Sequence, residues 1–417
     1  MKIFKFGGAS VKDADGVRNL LKVLKTVDYN NTVIVVSAMG KTTNSLEKVV
    51  DSYLKKNKYL GEYLFEIENF HQIIATSLFD SELSRISSLI KNIFKDLKIF
   101  LSTNKSQEYS FIYDQIVCYG EILSTTIIHN FLASNQINSI WLDAREYIKT
   151  DSYYRDSNLD WDITIQKIKS KIKNNNTYIT QGFIASDSNN FTTTLGREGS
   201  DYSASIFAYA LNATEVTIWK DVAGVLNADP RYFSETTLLD YISYREAIEL
   251  AFYGASVIHP KTLQPLQRKE IPLYVKSFLN PKAKGTTIKK ESFLAPSIPC
   301  FILKQNQIFL RLSSLDFSFI IEDNISDIFK LLHLYQMRVE LIQNSAISFS
   351  VCITNKYDRL NELVSQLKHR FKVEVNNNVS LYTIRHFDQK AIEKIKKNKK
   401  KIILEQRTQD TIQFITD

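Results

Sequence analysis

The sequence TTTLGREGSD, residues 192–201, determines how the rest of the chain is interpreted. Its three threonines suit a strand, and the residues from Tyr202 onward suit a closely packed helix without internal glycine or proline. A glycine-containing turn between them leaves backbone N–H groups free at the positive end of the helix dipole, where anions bind. Arg197 adds a planar guanidinium for a carboxylate, and Asp201 lies in the first helical turn. We interpret the stretch as a strand, an anion-binding turn and a helix; a capped helix with a surface arginine is the alternative.

Length and composition are those of an ordinary globular protein. The 417 residues can form two or three domains, with 44% hydrophobic and 24% charged residues. Apolar runs such as residues 33–36 are too short to span a bilayer, and MKIFKFGG lacks the apolar core of a signal peptide. Cys118, Cys300 and Cys352 are too scattered for a disulfide framework or a zinc site. We therefore expect a reducing, cytoplasmic location and no membrane contact.

Basic residues outnumber acidic ones, which gives a formal net charge of +8. Much of the excess lies in one run, AIEKIKKNKKKIILEQ, residues 391–406. No aromatic side chains interleave this run, as a stacking platform for nucleic acid would require. We interpret it as a solvated helix end and expect no nucleic-acid partner.

The N-terminal pattern alternates strands and helices. Residues 2–6 suit a strand, Gly7 and Gly8 a loop, residues 13–27 an amphipathic helix and residues 32–37 a buried strand. This order predicts a three-layer α/β sandwich with a mostly parallel central sheet, whose ligands bind at the carboxyl ends of the strands.

The remainder of the first domain continues this pattern with one long helical insertion. Residues 46–101 are mostly helical, and a helix follows at 114–132. Further strands are predicted at 138–142, 178–184, 216–219 and 271–277, with a helix at 244–253 and a linker at 281–287. We therefore place the first domain at residues 1–290.

Beyond residue 295 the pattern changes to shorter units. Strands at 307–312, 339–342, 346–353 and 372–375 alternate with helices at 326–336 and 360–371. This βαββαβ order predicts a ferredoxin-like module at about 305–378. A second, abbreviated module is predicted at about 379–417, with a strand near 298–304. Together they form the second region, residues 295–417.

Several residue types in the loops suit nucleotide chemistry. Lys5 precedes Gly7 and Gly8, and glycine lets the backbone approach a phosphate whose charge a lysine can neutralise. Asp221 and Arg231 lie in two turn-rich loops and suit a nucleotide or its magnesium. Ordinary structural turns are the alternative for both features.

Other chemical signals are weaker or absent. Glu121 can pair with an ammonium group or form a salt bridge on a helix surface. The six histidines show no metal-binding spacing, so we predict no protein metal site. The GxGxxG fingerprint is absent, which argues against a dehydrogenase module.

Six motifs, taken in order, resemble the aspartate kinases of the amino-acid-kinase superfamily: KFGGAS, VVSAMGKTTN, YGE, TTLGREGSDYSA, WKDVAGVLNADPR and YGASVIHPKT. The tail resembles the paired ACT regulatory modules of that family. The resemblance implies phosphoryl transfer from Mg-ATP to the side chain of L-aspartate, the first step toward lysine, threonine, methionine and diaminopimelate. It also implies a homo-oligomer, with an amino-acid effector at the ACT modules.

The resemblance implies roles for individual residues. Lys5 would stabilise the transferred phosphoryl group, and Asp201 would orient the charged groups around it. Arg197 would hold a carboxylate of aspartate, and Glu121 its ammonium. Ser37, Thr43, Phe183 and Ser200 would complete the substrate pocket, and the ATP site would comprise Lys5, Gly7, Gly8, Lys220, Asp221, Arg231 and Ser256. Magnesium would be held mainly by the ATP phosphates.

The sequence departs from the family pattern at several positions: Ala9, Glu198, Lys220, Leu226 and Ser256. None of these changes removes the lysine or the carboxylate-binding groups, so we expect an active enzyme with altered nucleotide contacts. In the tail, Ala346 stands where lysine-sensitive relatives often have an acidic residue. An effector's ammonium group would lose a partner there, and we expect weak or absent inhibition by lysine.

Two alternatives remain open on sequence alone. One is another amino-acid kinase, acting on glutamate, N-acetylglutamate, carbamate or UMP; YGE together with GREGSD favours an amino-acid substrate. The other is a catalytically silent amino-acid-binding regulator, although Lys5, Arg197 and Asp201 are all retained. Assays with the candidate acceptors side by side distinguish these functions.

Overall fold

The structure is a computed structural model that describes residues 1–255, 258–290, 293–397 and 401–417. The chain divides into two compact units. The first comprises Met1–Val225, Leu238–Ile248 and Val257–Ala295, and the second comprises Leu226–Thr237, Glu249–Ser256 and Pro296–Asp417.

The helices are α1 (Ala14–Thr26), α2 (Thr42–Leu54), α3 (Leu60–Leu78), α4 (Leu83–Thr103), α5 (Tyr109–Ser134), α6 (Ala144–Tyr147), α7 (Trp161–Lys171), α8 (Gly199–Leu211), α9 (Tyr244–Tyr253), α10 (Pro260–Arg268), α11 (Glu322–Leu334), α12 (Leu360–Leu367) and α13 (Gln389–Lys397), with a short 3-10 helix at Gly8–Val11. The strands are β1 (Lys2–Phe6), β2 (Thr32–Val36), β3 (Ile140–Leu142), β4 (Tyr178–Gln181), β5 (Ile184–Ser186), β6 (Thr192–Thr194), β7 (Glu215–Lys220), β8 (Tyr241–Ser243), β9 (Leu273–Ser277), β10 (Thr286–Lys289), β11 (Cys300–Ser314), β12 (Arg338–Asn344), β13 (Ser348–Thr354), β14 (Phe371–Arg385), β15 (Ile402–Arg407) and β16 (Thr411–Thr416).

The first unit is built on an eight-stranded sheet in the order β3-β4-β2-β1-β7-β9-β10-β8. All its neighbouring strands are parallel except β9 and β10. Phe4 and Phe6 project into a core that they share with α1 to α5, whereas Lys5 between them contacts α8 on the opposite face. Alternation along β1 therefore places helices on both sides of the sheet, which confirms the predicted three-layer α/β sandwich.

Helix α5 is the central helix of this core. Its 26 residues are long and apolar enough, by length and composition, to cross a membrane. However, 78% of its most apolar window is buried inside the protein. The helix therefore fits the description of a core helix, and it extends beyond the predicted 114–132 at both ends.

Two sequence predictions in this unit are wrong in detail. The strand predicted at 178–184 breaks at Gly182 and Phe183, because Phe183 has a positive φ of 70° and donates its N–H to the Ser203 hydroxyl (2.9 Å). The linker predicted at 281–287 is also too long, because its last two residues, 286 and 287, belong to strand β10. Thr286 is buried there, and its hydroxyl bonds both the N–H of Val225 and the carbonyl of Leu239. Because these two bonds satisfy its hydroxyl, the polar Thr286 can occupy a buried position in the sheet.

The second unit contains a six-stranded antiparallel sheet in the order β12-β13-β11-β14-β16-β15. Strands β11 and β14 each have 15 residues and run through both halves of the sheet, with a register shift between Lys304 and Gln307. Helices α11 and α12 pack on one half, and α13 packs on the other. The two ACT-like modules therefore share one sheet, a feature that the separate strand predictions at 298–304 and 307–312 did not anticipate.

Candidate active site

The central strands of the first unit end together at one edge of the sheet. Phe6 lies beside Val36 and Trp219, and Val36 lies beside Gln181. The next residues along these strands are Gly7, Ser37, Lys220 and Gly182. Because parallel strands in register deliver their loops to the same place, four of the predicted site segments converge there: 5–8, 37–43, 183 and 220–221. A fifth segment, 197–201, reaches the same edge through the contact between Asp201 and Lys5.

Lys5 and Asp201 form a buried ion pair at this edge. The Lys5 Nζ lies 2.6 Å from Asp201 Oδ1, and only 11% and 4% of the two side chains are exposed. Asp201 Oδ1 has no other polar partner among the described residues. Strand β1 and helix α8 thus position a lysine whose charge is balanced within the protein.

The glycines after β1 form a loop without side chains. A Cβ atom on Gly7 would lie 3.3 Å from Lys5 Nζ, and one on Gly8 would lie 2.7 Å from the carbonyl oxygen of Ala38. The N–H of Gly40 donates to the carbonyl of Gly8 (3.0 Å), which joins this loop to the one after β2. A phosphate chain can therefore approach the backbone closely beside the lysine.

Glu121 is a buried carboxylate that forms no ion pair with any residue the structure describes. Its Oε1 accepts a long hydrogen bond (3.4 Å) from the N–H of Ala38. Its Oε2 has no hydrogen-bond partner among the residues that the structure describes. Burial raises the pKa of Glu121 to about 8. Such a group is stabilised in its charged form only if a cation reaches it, as the ammonium of an amino acid would.

The turn before α8 exposes Arg197. Gly196 and Glu198, on either side of it, have positive φ values of 76° and 55°. The Glu198 side chain accepts a hydrogen bond from the N–H of His259 (2.9 Å), which holds the turn in this conformation. Arg197 itself is exposed, and its guanidinium forms no hydrogen bond or ion pair with the described residues. It is therefore free to meet an anionic ligand.

The remaining predicted substrate residues lie on the same loops. Ser200 is buried and packs closely against Gly182. A Cβ atom added to Gly182 would lie only 2.5 Å from the Cβ of Ser200. Ser37, Thr43 and Phe183 are half-buried. Ser37 is held through its carbonyl, which accepts a hydrogen bond from Ser124 (2.8 Å).

The predicted nucleotide residues are distributed over both units. Lys220 ends β7 and is half-buried, and Asp221 is exposed beside it. Arg231 belongs to the second unit, where Asp229 holds it by a two-pronged ion pair, with Nη2 2.6 Å from Oδ2. This pairing lowers the pKa of Asp229. The prediction for Ser256 lies outside the described residues.

Sequence reasoning missed two acidic residues that position others. Asp229 orients Arg231, and the Asp-Pro-Arg spacing was the available signal. Asp114 is fully buried in α5 and bonds two other segments. A lone acidic residue inside an apolar helix was the signal there.

Comparison with known proteins defines the family. Residues 1–277 match the model of the amino acid kinase family, so the chain belongs to that family. Within it, the chain belongs to the aspartokinases. It is 30% identical over 393 residues to lysine-sensitive aspartokinase 3 of Escherichia coli (strain K12), which covers 92% of this chain and 86% of that relative. A bifunctional aspartokinase/homoserine dehydrogenase of Daucus carota is 31% identical over 306 residues, and the match spans 32% of its length.

Solved structures extend this likeness to the whole fold. E. coli aspartokinase III in complex with lysine and aspartate has a TM-score of 0.84 and 27% identity, with 100% of this chain and 96% of that chain covered. The same enzyme in complex with aspartate and ADP has a TM-score of 0.81 and 26% identity over the same coverage. These matches confirm the predicted order of an α/β kinase domain followed by ACT-like modules.

Proposed function

We propose that this aspartokinase transfers the γ-phosphoryl group of Mg-ATP to the side-chain carboxylate of L-aspartate, giving ADP and 4-phospho-L-aspartate. The reaction would open biosynthesis of lysine, threonine, methionine and diaminopimelate. The observation that carries the proposal is the buried Lys5–Asp201 pair beside a loop without side chains, at the edge where the central strands end. The aspartate and ADP held by the E. coli enzyme give independent support.

The residues suit a reaction that needs positioning and charge stabilisation. A carboxylate with an ordinary pKa of about 3.9 is already ionised at neutral pH, so the acceptor needs no general base. One of its oxygens forms a bond to the γ-phosphorus while the bond from that phosphorus to the ADP oxygen breaks. Lys5 stabilises the negative charge on the moving group, and Asp201 keeps the Lys5 ammonium in place.

Aspartate binding is assigned to groups on three segments. Glu121 receives the ammonium, a role supported by its burial and by its unpaired Oε2. Arg197 holds a carboxylate, a role supported by the exposed position of its side chain. Ser37, Thr43, Phe183 and Ser200 complete the pocket.

ATP is assigned to the glycine loop and the segments after β7. Gly7 and Gly8 admit the phosphates, and Lys220, Asp221, Arg231 and Ser256 border the nucleotide. No group of three histidine, cysteine or acidic side chains suited to a metal occurs among the described residues. Magnesium is therefore assigned mainly to the ATP phosphates, where it would neutralise their charge.

Regulation is assigned to residues 295–417 and catalysis to residues 1–290. We place an amino-acid effector site and a homo-oligomeric contact in the ACT-like region. Lysine inhibition is expected to be weak or absent, because Ala346 offers no carboxylate to an ammonium group. An inhibition constant in the low-micromolar range would refute this. Cys118, Cys300 and Cys352 are buried, and no disulfide joins them within the part of the chain that the structure describes, which suits a reducing cytoplasm.

The decisive experiment measures ADP release from Mg-ATP with L-aspartate, with L-glutamate and without an acceptor, alongside a Lys5→Ala variant. We expect turnover that depends on aspartate and is abolished by Lys5→Ala. Turnover with another acceptor would make the chain a different amino-acid kinase. Aspartate or lysine binding without any turnover would make it a regulator.

A further inference from the structure

Asp114 is a fully buried carboxylate in α5 that the roles assigned above do not use. It accepts three hydrogen bonds: from the N–H of Arg155 (2.9 Å), the N–H of Thr194 (2.9 Å) and the hydroxyl of Thr194 (2.8 Å). Burial raises its pKa to about 6, and these donors act in the opposite direction, in favour of the charged form. Charge-assisted bonds in a dry environment are strong, so Asp114 ties two outside segments firmly to α5.

The bonds to Thr194 fix the start of the Arg197 turn. Thr194 is the last residue of β6, three positions before Arg197. Its carbonyl accepts a hydrogen bond from Ser157 (3.0 Å), and the next residue, Leu195, donates to the carbonyl of Phe183 (2.9 Å). The backbone that leads to Arg197 is thus held from three directions, and Asp114 is the side-chain acceptor that reaches Thr194.

The segment that contains Arg155 and Ser157 is held against the same helix. The Arg155 guanidinium lies 4.5 Å from the ring centre of Tyr113 and 5.2 Å from that of Tyr109, both on α5. These contacts are favourable cation–π interactions. The backbone bond from Arg155 to Asp114 completes this attachment.

Helix α5 therefore carries two buried carboxylates with different tasks. Asp114 precedes Glu121 by seven residues, which is about two helical turns and places both on one side of the helix. Glu121 faces the loop after β2, and Asp114 holds the strand that leads into the Arg197 turn. One rigid helix thus connects the groups assigned to the ammonium and to a carboxylate of the substrate.

We propose that Asp114 is a positioning residue, which fixes the Arg197 turn relative to Glu121 so that the two groups meet aspartate at a set spacing. This inference rests on the substrate roles proposed for Arg197 and Glu121. It predicts that Asp114 acts on aspartate binding and not on the ATP site, because its hydrogen bonds among the described residues lead to Thr194, at the start of the turn, and to Arg155.

The test is Asp114→Asn, which keeps the size of the side chain but replaces one acceptor by a donor and removes the charge. We expect KM for aspartate to rise by about tenfold, because a small misplacement of a binding group weakens substrate binding strongly. KM for ATP should stay unchanged. A variant with unchanged aspartate KM, or with both KM values raised equally, would overturn the inference.

Thr194 offers a matched pair of variants that leaves Asp114 in place. Thr194→Val removes the hydroxyl donor and keeps the shape, and we expect a smaller rise in aspartate KM. Thr194→Ser keeps the hydroxyl, and we expect kinetics like those of the unmodified protein. Equal effects of valine and serine would contradict the assigned hydrogen bond. This comparison decides the matter even if Asp114→Asn fails to fold.

A double variant separates positioning from a general structural role. If Asp114 acts through Arg197, adding Asp114→Asn to Arg197→Ala should raise aspartate KM little further. An additional rise of full size would refute action through Arg197. If Arg197→Ala alone leaves aspartate KM unchanged, the role proposed for Arg197 is itself wrong and the positioning inference falls with it. If Arg197→Ala raises aspartate KM but the double variant shows a further rise of full size, only the positioning inference has failed.

Discussion

Lys5 and Glu121 are both buried, ionisable side chains near the carboxyl ends of the central strands, but their surroundings differ. Lys5 has Asp201 at 2.6 Å, so its charge is balanced before any ligand binds. Glu121 has one long bond from a backbone N–H and no opposite charge among its described neighbours. Burial accordingly raises the pKa of Glu121 to about 8.

The difference teaches which part of the site is complete and which part needs the substrate. A balanced pair can hold its geometry in the free protein, as a group that stabilises transferred charge should. An unbalanced carboxylate remains costly until a cation arrives, so the substrate itself completes the site. The contrast predicts opposite effects of neutralising each residue on stability.

The largest effect should follow from breaking the Lys5–Asp201 pair. Lys5→Met leaves the Asp201 carboxylate buried without its partner, and we expect a loss of about 3–5 kcal/mol in the free energy of unfolding. Removing the charge beside the transferred phosphoryl group should also lower kcat by about a thousandfold. Urea unfolding and steady-state ADP release measure the two effects.

The control is the double variant Lys5→Met/Asp201→Asn, in which neither position of the pair carries a charge. We expect it to regain most of the lost stability and to stay inactive, because balance is restored without the lysine. A double variant as unstable as Lys5→Met would show that the packing of the lysine, and not its charge, supports this region.

Neutralising Glu121 should weaken aspartate binding without lowering the stability of the protein. Glu121→Gln removes an unbalanced carboxylate, so we expect unchanged or higher stability at pH 8. KM for aspartate should rise by about 10- to 100-fold, because the ammonium loses its buried partner. KM for ATP serves as the internal control. A loss of stability like that of Lys5→Met would erase the distinction between the two sites.

The pH dependence of aspartate binding should sharpen the same contrast. Ammonium binding needs the charged form of Glu121, whose pKa of about 8 leaves it mostly protonated at pH 7. KM for aspartate should therefore fall by about tenfold between pH 7 and pH 9. Glu121→Gln should lack this change, and it controls for titration of aspartate itself. Equal slopes in the two proteins would assign the titration to another group.

Whereas aspartate binding should strengthen as the pH rises, the stability of the folded protein should fall. The folded protein binds the Glu121 proton more tightly than the unfolded chain, whose ordinary glutamate pKa is 4.5. The contribution of Glu121 is therefore fully present below pH 4.5 and is lost as the pH rises through 8. The difference in unfolding free energy between the unmodified protein and Glu121→Gln, measured from pH 5 to pH 8.5, reports this loss.

The sequence predicted the strands and helices near the site because their periodicity is local. The alternation in β1, the apolar run of β2 and the glycine-containing turn before α8 each follow from a few neighbouring residues. The family motifs then supplied Lys5, Glu121, Arg197 and Asp201 together.

Contacts between residues that are distant in sequence could not be predicted from local periodicity or from motifs. Asp114 has three donors, and Glu121 has no cation beside it in the described part of the chain; both facts depend on segments distant in sequence. The joining of two ACT-like modules through β11 and β14 also depends on strand pairing, which the local pattern leaves undetermined. Such features require the folded arrangement.

Glu198 extends the comparison to an acidic residue whose charge should not matter, and it carries the smallest predicted effect. It occupies a left-handed conformation with φ of 55° that costs a residue other than glycine about 1 kcal/mol, and its bond to the N–H of His259 offsets this. Glu198→Gln keeps an acceptor and should match the unmodified protein. Glu198→Gly loses the bond and the strain together, so its stability should change little, whereas Glu198→Ala keeps the strain and should lose about 1 kcal/mol more in urea unfolding. If glutamine proves as damaging as alanine, the carboxylate charge is needed here too, and Glu198 belongs with Asp201 among the balanced charges.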